Sequence, residues 1–189
     1  MSEPPTEPQA GARRYPRTFG GLVASMIVLV LAVLGYWVVQ RALNPTPEIS
    51  PEAVDYLDTA AAAQEAGIPV VYPTSLPEGW IATEVRLTPG DRLVWGIPML
   101  TDEERFVGLQ QEDEDLHTLL DTYVDENARQ GADVMIDSPV ASRWSSWTDE
   151  GGDHAFAAEV GETVVLVYGS APATDLKELV SRLSTAPVG

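Results

Sequence analysis

Two histidines and a short acidic run carry most of the chemistry that this 189-residue chain can offer. A serine hydrolase needs a Ser on a sharp turn, a His to take its proton and a carboxylate to orient the ring. No G-x-S-x-G run occurs. His117 shares a predicted helix face with Asp121 and Asp125, one and two turns on, which is the pattern of a solvated ion pair. His154 opens a predicted strand beside a turn. The run Glu112-Asp113-Glu114-Asp115 could be considered for calcium, but calcium loops alternate their carboxylates and need a Gly to bend. None is here, and Asp149-Glu150-Gly151-Gly152-Asp153 is only a vague echo. The run fits a helix start better, because acids stabilise the positive end of a helix. No phosphate loop, Rossmann glycine pattern or H-E-x-x-H appears. Zero cysteines exclude a disulfide scaffold, a thiolate zinc site and a Cys nucleophile. No catalytic residue, cofactor or metal is expected.

Tryptophan is the other informative type. Trp80, Trp95, Trp144 and Trp147 all lie in the C-terminal three-quarters of the chain. Residues three apart on a strand face opposite sides. If one of Trp144 and Trp147 packs inward, the other points outward, so the pair is the candidate ligand or partner surface. Core packing accounts for Trp80 and Trp95.

The elements that must position these residues follow from periodicity. Ser50-Pro51-Glu52 predicts a helix start, with a hydroxyl cap and Pro in the first turn, and Gly67 and Pro69 end that helix. Ile81, Thr83, Val85 and Leu87 alternate as the inward face of a strand. Leu93, Trp95, Ile97 and Met99 form the next, with Pro98 predicting a sheet edge at its end. Arg105–Gln111 is a third, completing an antiparallel meander. Asp113 or Glu114 should cap a helix running to Gly131. Extended segments follow at 134–136 and 143–148. His154–Val160 and Thr163–Tyr168 flank a two-residue turn, Gly161-Glu162. TVVLVY is apolar on both faces and predicts a central strand. A last helix starts near Thr174 or Asp175. The fold class is α+β: a mostly antiparallel sheet of about six or seven strands, packed by two or three helices.

Ahead of this domain stands Gly20–Val39, an apolar run with no charged residue. Twenty helical residues span about 30 Å, the thickness of a bilayer's hydrocarbon core. The predicted organisation is a disordered tail over 1–18, a transmembrane helix over 19–40, a Pro-containing linker over 41–52 and an extracytoplasmic domain over 53–189. Arg13, Arg14 and Arg17 precede the span and set the topology, holding the N-terminus in the cytoplasm. A cleaved signal peptide would need a shorter core and small residues at a cut site, whereas Gln40, Arg41, Ala42 and Leu43 follow here. Gly20 with Ala24, and Gly21 with Ser25, stand four apart, a spacing that weakly pairs membrane helices into a homodimer.

Charge narrows the partners. Of 11 basic and 29 acidic residues, three Arg and two Glu precede the span, leaving 8 basic against 27 acidic after it. Such a domain is repelled by nucleic acid and anionic lipid. The scarcity of Lys and Asn beside abundant Ala, Gly, Pro and Val fits a GC-rich bacterial genome.

Several stretches occur together: the Arg cluster before one span, Val54-Asp55-Tyr56, and Pro73 leading to Leu76-Pro77-Glu78-Gly79-Trp80. Gly108-Leu109-Gln110, Trp144 ahead of a hairpin, and Val167-Tyr168-Gly169-Ser170-Ala171 before a helix complete the set. With these the chain resembles an actinobacterial membrane-anchored family, domain of unknown function 4245, from Arg13 onward. A Gly shortly before Trp144 belongs to that pattern; here the run is Val140-Ala141-Ser142-Arg143. The resemblance implies location and architecture and carries over no catalytic residues. Element order is also similar to the PsbP and Mog1 type of non-enzymatic accessory modules. The functional expectation is a non-catalytic accessory or protein-binding module of the cell envelope, with an envelope protein as partner. A lipid- or glycan-binding carrier or sensor is the alternative, and a divergent hydrolase comes third.

Overall fold

The computed structural model describes residues 19–43, 52–90 and 92–189, and within the first helix the side chains of 23, 25–37, 39 and 40. The topology residues Arg13, Arg14 and Arg17, the tail around them and residues 44–51 of the expected linker lie outside the described residues, whereas residues 41–43, also expected in the linker, belong to the first helix. The chain divides into two units, one ending at Ser50 and the other covering Pro51–Gly189.

In the first unit, α1 runs Phe19–Leu43. Met26, Ile27, Val28, Leu29, Val30 and Leu31 all stand exposed, so the helix is apolar around its whole circumference. Among the described residues, no helix is long and apolar enough to cross a membrane.

The second unit begins with α2 (Tyr56–Glu65). Its cap is Asp55, whose carboxylate accepts from the amides of Leu57 and Asp58 at 3.0 and 3.4 Å. The helix therefore starts later than the Ser-Pro-Glu pattern predicts, and 52–55 is not helical. Gly67, at φ 78, closes it as expected. Short β1 (Tyr72–Pro73) pairs antiparallel with β11 (Leu183–Ser184), tying the start of the unit to its end.

The main sheet is built from β2 (Ile81–Ala82), β3 (Arg86–Thr88), β4 (Val94–Leu100), β5 (Phe106–Glu112), β6 (Arg129–Gln130), β7 (Val134–Met135), β8 (Arg143–Thr148), β9 (His154–Val160) and β10 (Thr163–Gly169). Its spatial order is β2-β4-β5-β10-β9-β8-β6, with β3 also on β4 and β7 also on β8. Every described pairing is antiparallel. As its doubly apolar pattern predicts, β10 is internal, between β5 and β9. Gly161 takes φ 65 in the two-residue turn before it, the left-handed conformation a Gly-first hairpin requires.

Two strand expectations fail at one place. The segment 81–88 is not one strand, because its register slips. Ile81 and Ala82 face Leu100 and Met99, whereas Arg86 faces Gly96, one residue out of step. Glu84 and Val85 thus oppose Ile97 alone, which is a β-bulge. Ala82, not Ile81 or Thr83, is the buried residue of β2. Pro98 sits in an interior strand rather than at an edge. Its carbonyl accepts from the Thr83 amide at 2.9 Å, but it has no N–H to return the bond, so the bulge falls beside the missing donor. β6 and β7 are offset on β8 in the same way. Both sheet edges are thereby broken, which discourages pairing with other chains.

One face of the sheet carries the larger core. Trp95, Ile97, Met99, Leu109, Val165, Val167, Phe156 and Trp144 pack there against Tyr56, Ala60 and Ala63 of α2. The last helix, α4 (Ala173–Ser181), adds Leu176, Leu179 and Val180. The other face is covered by α3 (Leu116–Tyr123). Leu119 and Leu120 pack on Trp147, Ala155, Ala157, Val164 and Leu166. Asp115 is its cap, one or two residues beyond the predicted start, and accepts from the amides of His117 and Thr118. The helix ends at Tyr123, well before Gly131, because the Asp125 carboxylate takes the Asn127 amide and turns the chain. Val124 and Ala128, which fall inside the predicted helix, still pack on this core from outside it. Replacing Asp55 by Ala removes the α2 cap and should cost about 1 kcal/mol in chemical unfolding, whereas the same change at exposed Asp58 should cost little.

Candidate functional site

Trp144 and Trp147 do face opposite sides of β8, as alternation demands. Neither is exposed. Trp144 is 0% and Trp147 8% exposed, because a core lies on each face at this strand. The indole N–H of Trp144 donates to the Ala141 carbonyl at 2.8 Å and that of Trp147 to Ser145 Oγ at 3.1 Å. The expectation of an outward Trp surface is therefore corrected: α3 covers the side that a single-layer sheet would leave open. Trp95 is buried, and Trp80 packs half-buried on the same core.

The histidines are not brought to a nucleophile. His117 meets the Trp147 ring edge-on, with centroids 6.0 Å apart. His154 Nδ1 lies 3.3 Å from Thr148 Oγ1. Among the described residues, no group of His, Asp and Glu is arranged to hold a metal ion. The acidic run is divided between roles. Asp115 caps α3, Glu114 pairs with Arg92, and Glu112 ends β5 almost fully buried.

Glu112 opens onto an arrangement that periodicity alone does not disclose. The described apolar residues packed with α3 come from β8, β9 and β10, and none from β2 to β5. On this half of the face the strands present Pro98 and Leu100 from β4, and Phe106, Gly108, Gln110 and Glu112 from β5. Cross-strand register sets Gly108 between Pro98 and Tyr168, and Gly96 between Arg86 and Gln110. The two glycines let large side chains lie flat. A Cβ on Gly108 would fall 2.5 Å from the Tyr168 ring, and one on Gly96 2.5 Å from Gln110 Oε1. The result is a shelf with an aromatic row across it. Phe106 and Tyr168 meet edge-to-face at 5.6 Å, and Tyr123 of α3 meets Tyr168 at 5.6 Å. Phe106 is 37% exposed.

The shelf's polar groups are linked. Glu112 Oε1 accepts from Gln110 Nε2 at 2.6 Å and from the Tyr123 hydroxyl. Burial, reinforced by the neighbouring Glu112, pushes the Tyr123 phenol well above the ordinary range. Burial likewise raises Tyr168 to about 12, with Arg86 opposing and Glu112 adding to the rise. Arg86 is bridged to Glu84 at 2.6 Å, an exposed pair that adds little stability.

At the strand end that carries Glu112, but around Gln111 on the opposite face of the sheet, an open cleft of about 610 Å³ is lined by Ile68, Pro69, Leu93, Gln111, Asp113 and Val160, among others. The Gln111 amide is buried there and fully engaged, with Val71, Pro69 and Thr163. No tryptophan lines the cleft.

Fold and site define an antiparallel α+β domain with a two-sided core and one aromatic shelf. The chain belongs to the family described as protein of unknown function (DUF4245), whose model matches residues 14–183. No curated protein and no solved structure matches it.

Gly108→Ala should cost about 1–3 kcal/mol, because the Tyr168 ring must leave its seat; the check is urea unfolding combined with the ring resonances of Tyr168. Tyr56 and Tyr168, each raised to about 12 from 10.0, stay protonated in the folded state where the unfolded chain ionises. Their contribution is complete below pH ~10 and is lost as pH rises toward ~12, so the thermal midpoint should fall across that window. Tyr56→Phe with Tyr168→Phe should flatten the fall.

Proposed function

We propose that this protein is a single-pass membrane protein whose second unit is a non-catalytic accessory module on the extracytoplasmic side. There it holds another envelope component through the shelf of β3, β4 and β5. The observation that carries this reading is the half-covered sheet face. Tyr168, Phe106 and Arg86 belong to the residue types enriched in recognition surfaces, and α3, which covers the other half, reaches this one through Tyr123 at Tyr168 and Glu112.

Support for the anchor comes from α1, whose exposed side chains from Met26 to Leu31 are all apolar. Such a helix finds its partner in lipid. Arg13, Arg14 and Arg17 favour a cytoplasmic N-terminus. The non-catalytic assignment is favoured by the histidines, which meet Trp147 and Thr148 instead of a Ser and a carboxylate. A lipid carrier is less favoured, because the main sheet face is filled by Trp95, Ile97 and Met99 and the cleft is open and Trp-free.

A reporter that works only outside the cytosol, fused behind Gly189, should be active in intact cells; activity of a cytosol-only reporter at the same position would overturn the topology. A photo-crosslinking residue at position 106 should give a discrete adduct in those cells. The same probe at Met135, which is 71% exposed and distant along the sheet, should give none.

A further inference from the structure

We propose that the shelf binds a neutral, hydroxyl-rich chain, that is, a saccharide. This rests on the reading that the shelf is the recognition surface and names the chemistry it recognises.

The hydrogen-bond inventory makes the argument. Gln110 is 4% and Glu112 9% exposed, yet each keeps an acceptor that no described donor reaches. Glu112 Oε1 takes both described donors, leaving Oε2 free, and Gln110 donates through Nε2 while its Oε1 accepts nothing. Tyr168 uses its ring against Phe106 and Tyr123, and its hydroxyl has no described partner. No buried side-chain nitrogen or oxygen among the described residues lacks a partner. None of these three oxygens is therefore fully shut off from solvent, and they lie at the rim of an aromatic row.

Such a surface suits a ligand with dense donors and apolar faces together. Sugar hydroxyls donate to carboxylate and amide oxygens, and the C–H faces of a pyranose cover aromatic rings. The alternatives fit worse. An apolar protein surface would strip water from Glu112 and leave its free oxygen unpaired, at the cost of a buried, uncompensated acceptor. An anionic ligand meets a region of the chain with 27 acidic residues against 8 basic ones. A lipid tail finds no enclosed cavity here, since the open cleft of about 610 Å³ is lined by other residues.

The test titrates the full chain with maltohexaose, cellohexaose and chitohexaose, following the ring resonances of Phe106 and Tyr168 and the heat of binding. At least one hexasaccharide should bind in the millimolar range or tighter. Tyr168→Phe keeps the ring and removes the hydroxyl; Glu112→Gln keeps the shape and removes the charge. Each should weaken binding about fivefold to tenfold, the loss expected for one hydrogen bond. Tyr168→Phe should leave the unfolding midpoint near that of the parent, which keeps the test readable if Glu112→Gln unfolds. Binding that neither variant alters would put the sugar elsewhere and overturn the assignment. If all three sugars fail while a probe at position 106 captures a protein, the saccharide falls and the recognition surface stands. If both fail, both fall.

Discussion

The pairing of β5 with β10 is the interaction on which the rest of the second unit depends. It joins Val107–Glu112 to Val164–Gly169 in antiparallel register and welds two meanders into one sheet. Five strands, β4, β5, β10, β9 and β8, then share one continuous ladder. Only on a sheet this wide can α2 and α4 fill one face while α3 covers part of the other. The partners are distant in sequence, so the closure entropy must be offset by burial. Val165, Leu166 and Val167, none with measurable exposure, supply that burial on both faces.

The same seam makes the shelf. Because Gly108 stands opposite Tyr168, the ring crosses the boundary between the two meanders. Glu112 stands opposite Val164 and is reached from α3 by the Tyr123 hydroxyl. A carboxylate placed there is costly unless hydrogen-bonded, and its two donors reach it from different elements. The polar cluster thus ties the short helix to the sheet as the hydrophobic contacts of Leu119 and Leu120 do. The edges behave differently: a bulge on each side limits how far the sheet can be extended.

Much of the α+β fold was legible because period-two patterns are strong where one face is buried. β8, β9, β10 and the hairpin turn appear where alternation and Gly161-Glu162 put them. The misplaced boundaries share a cause. Residue types point to helix starts near Ser50 and at Asp113 or Glu114, while Asp55 and Asp115 win as caps because their carboxylates reach two amides each. The helix expected to reach Gly131 stops at Tyr123 although Val124 and Ala128 beyond it are packed, because packing does not require helix. Pro98 looked like an edge residue because propensity cannot see a bulge that accommodates a missing donor.

Trp144 and Trp147 mark the limit most sharply. Spacing alone determined that they face opposite sides, since side-chain direction along a strand is a local property. Whether the outer side is wet depends on what packs there, and that is decided by where α3 docks. The free oxygens of Gln110 and Glu112 follow the same division. Their place on β5 was written in the order of residues. Their burial, their donors and the aromatic row beside them came only with the register of β10 and the docking of α3, because contacts between distant segments are set by packing and not by any local pattern.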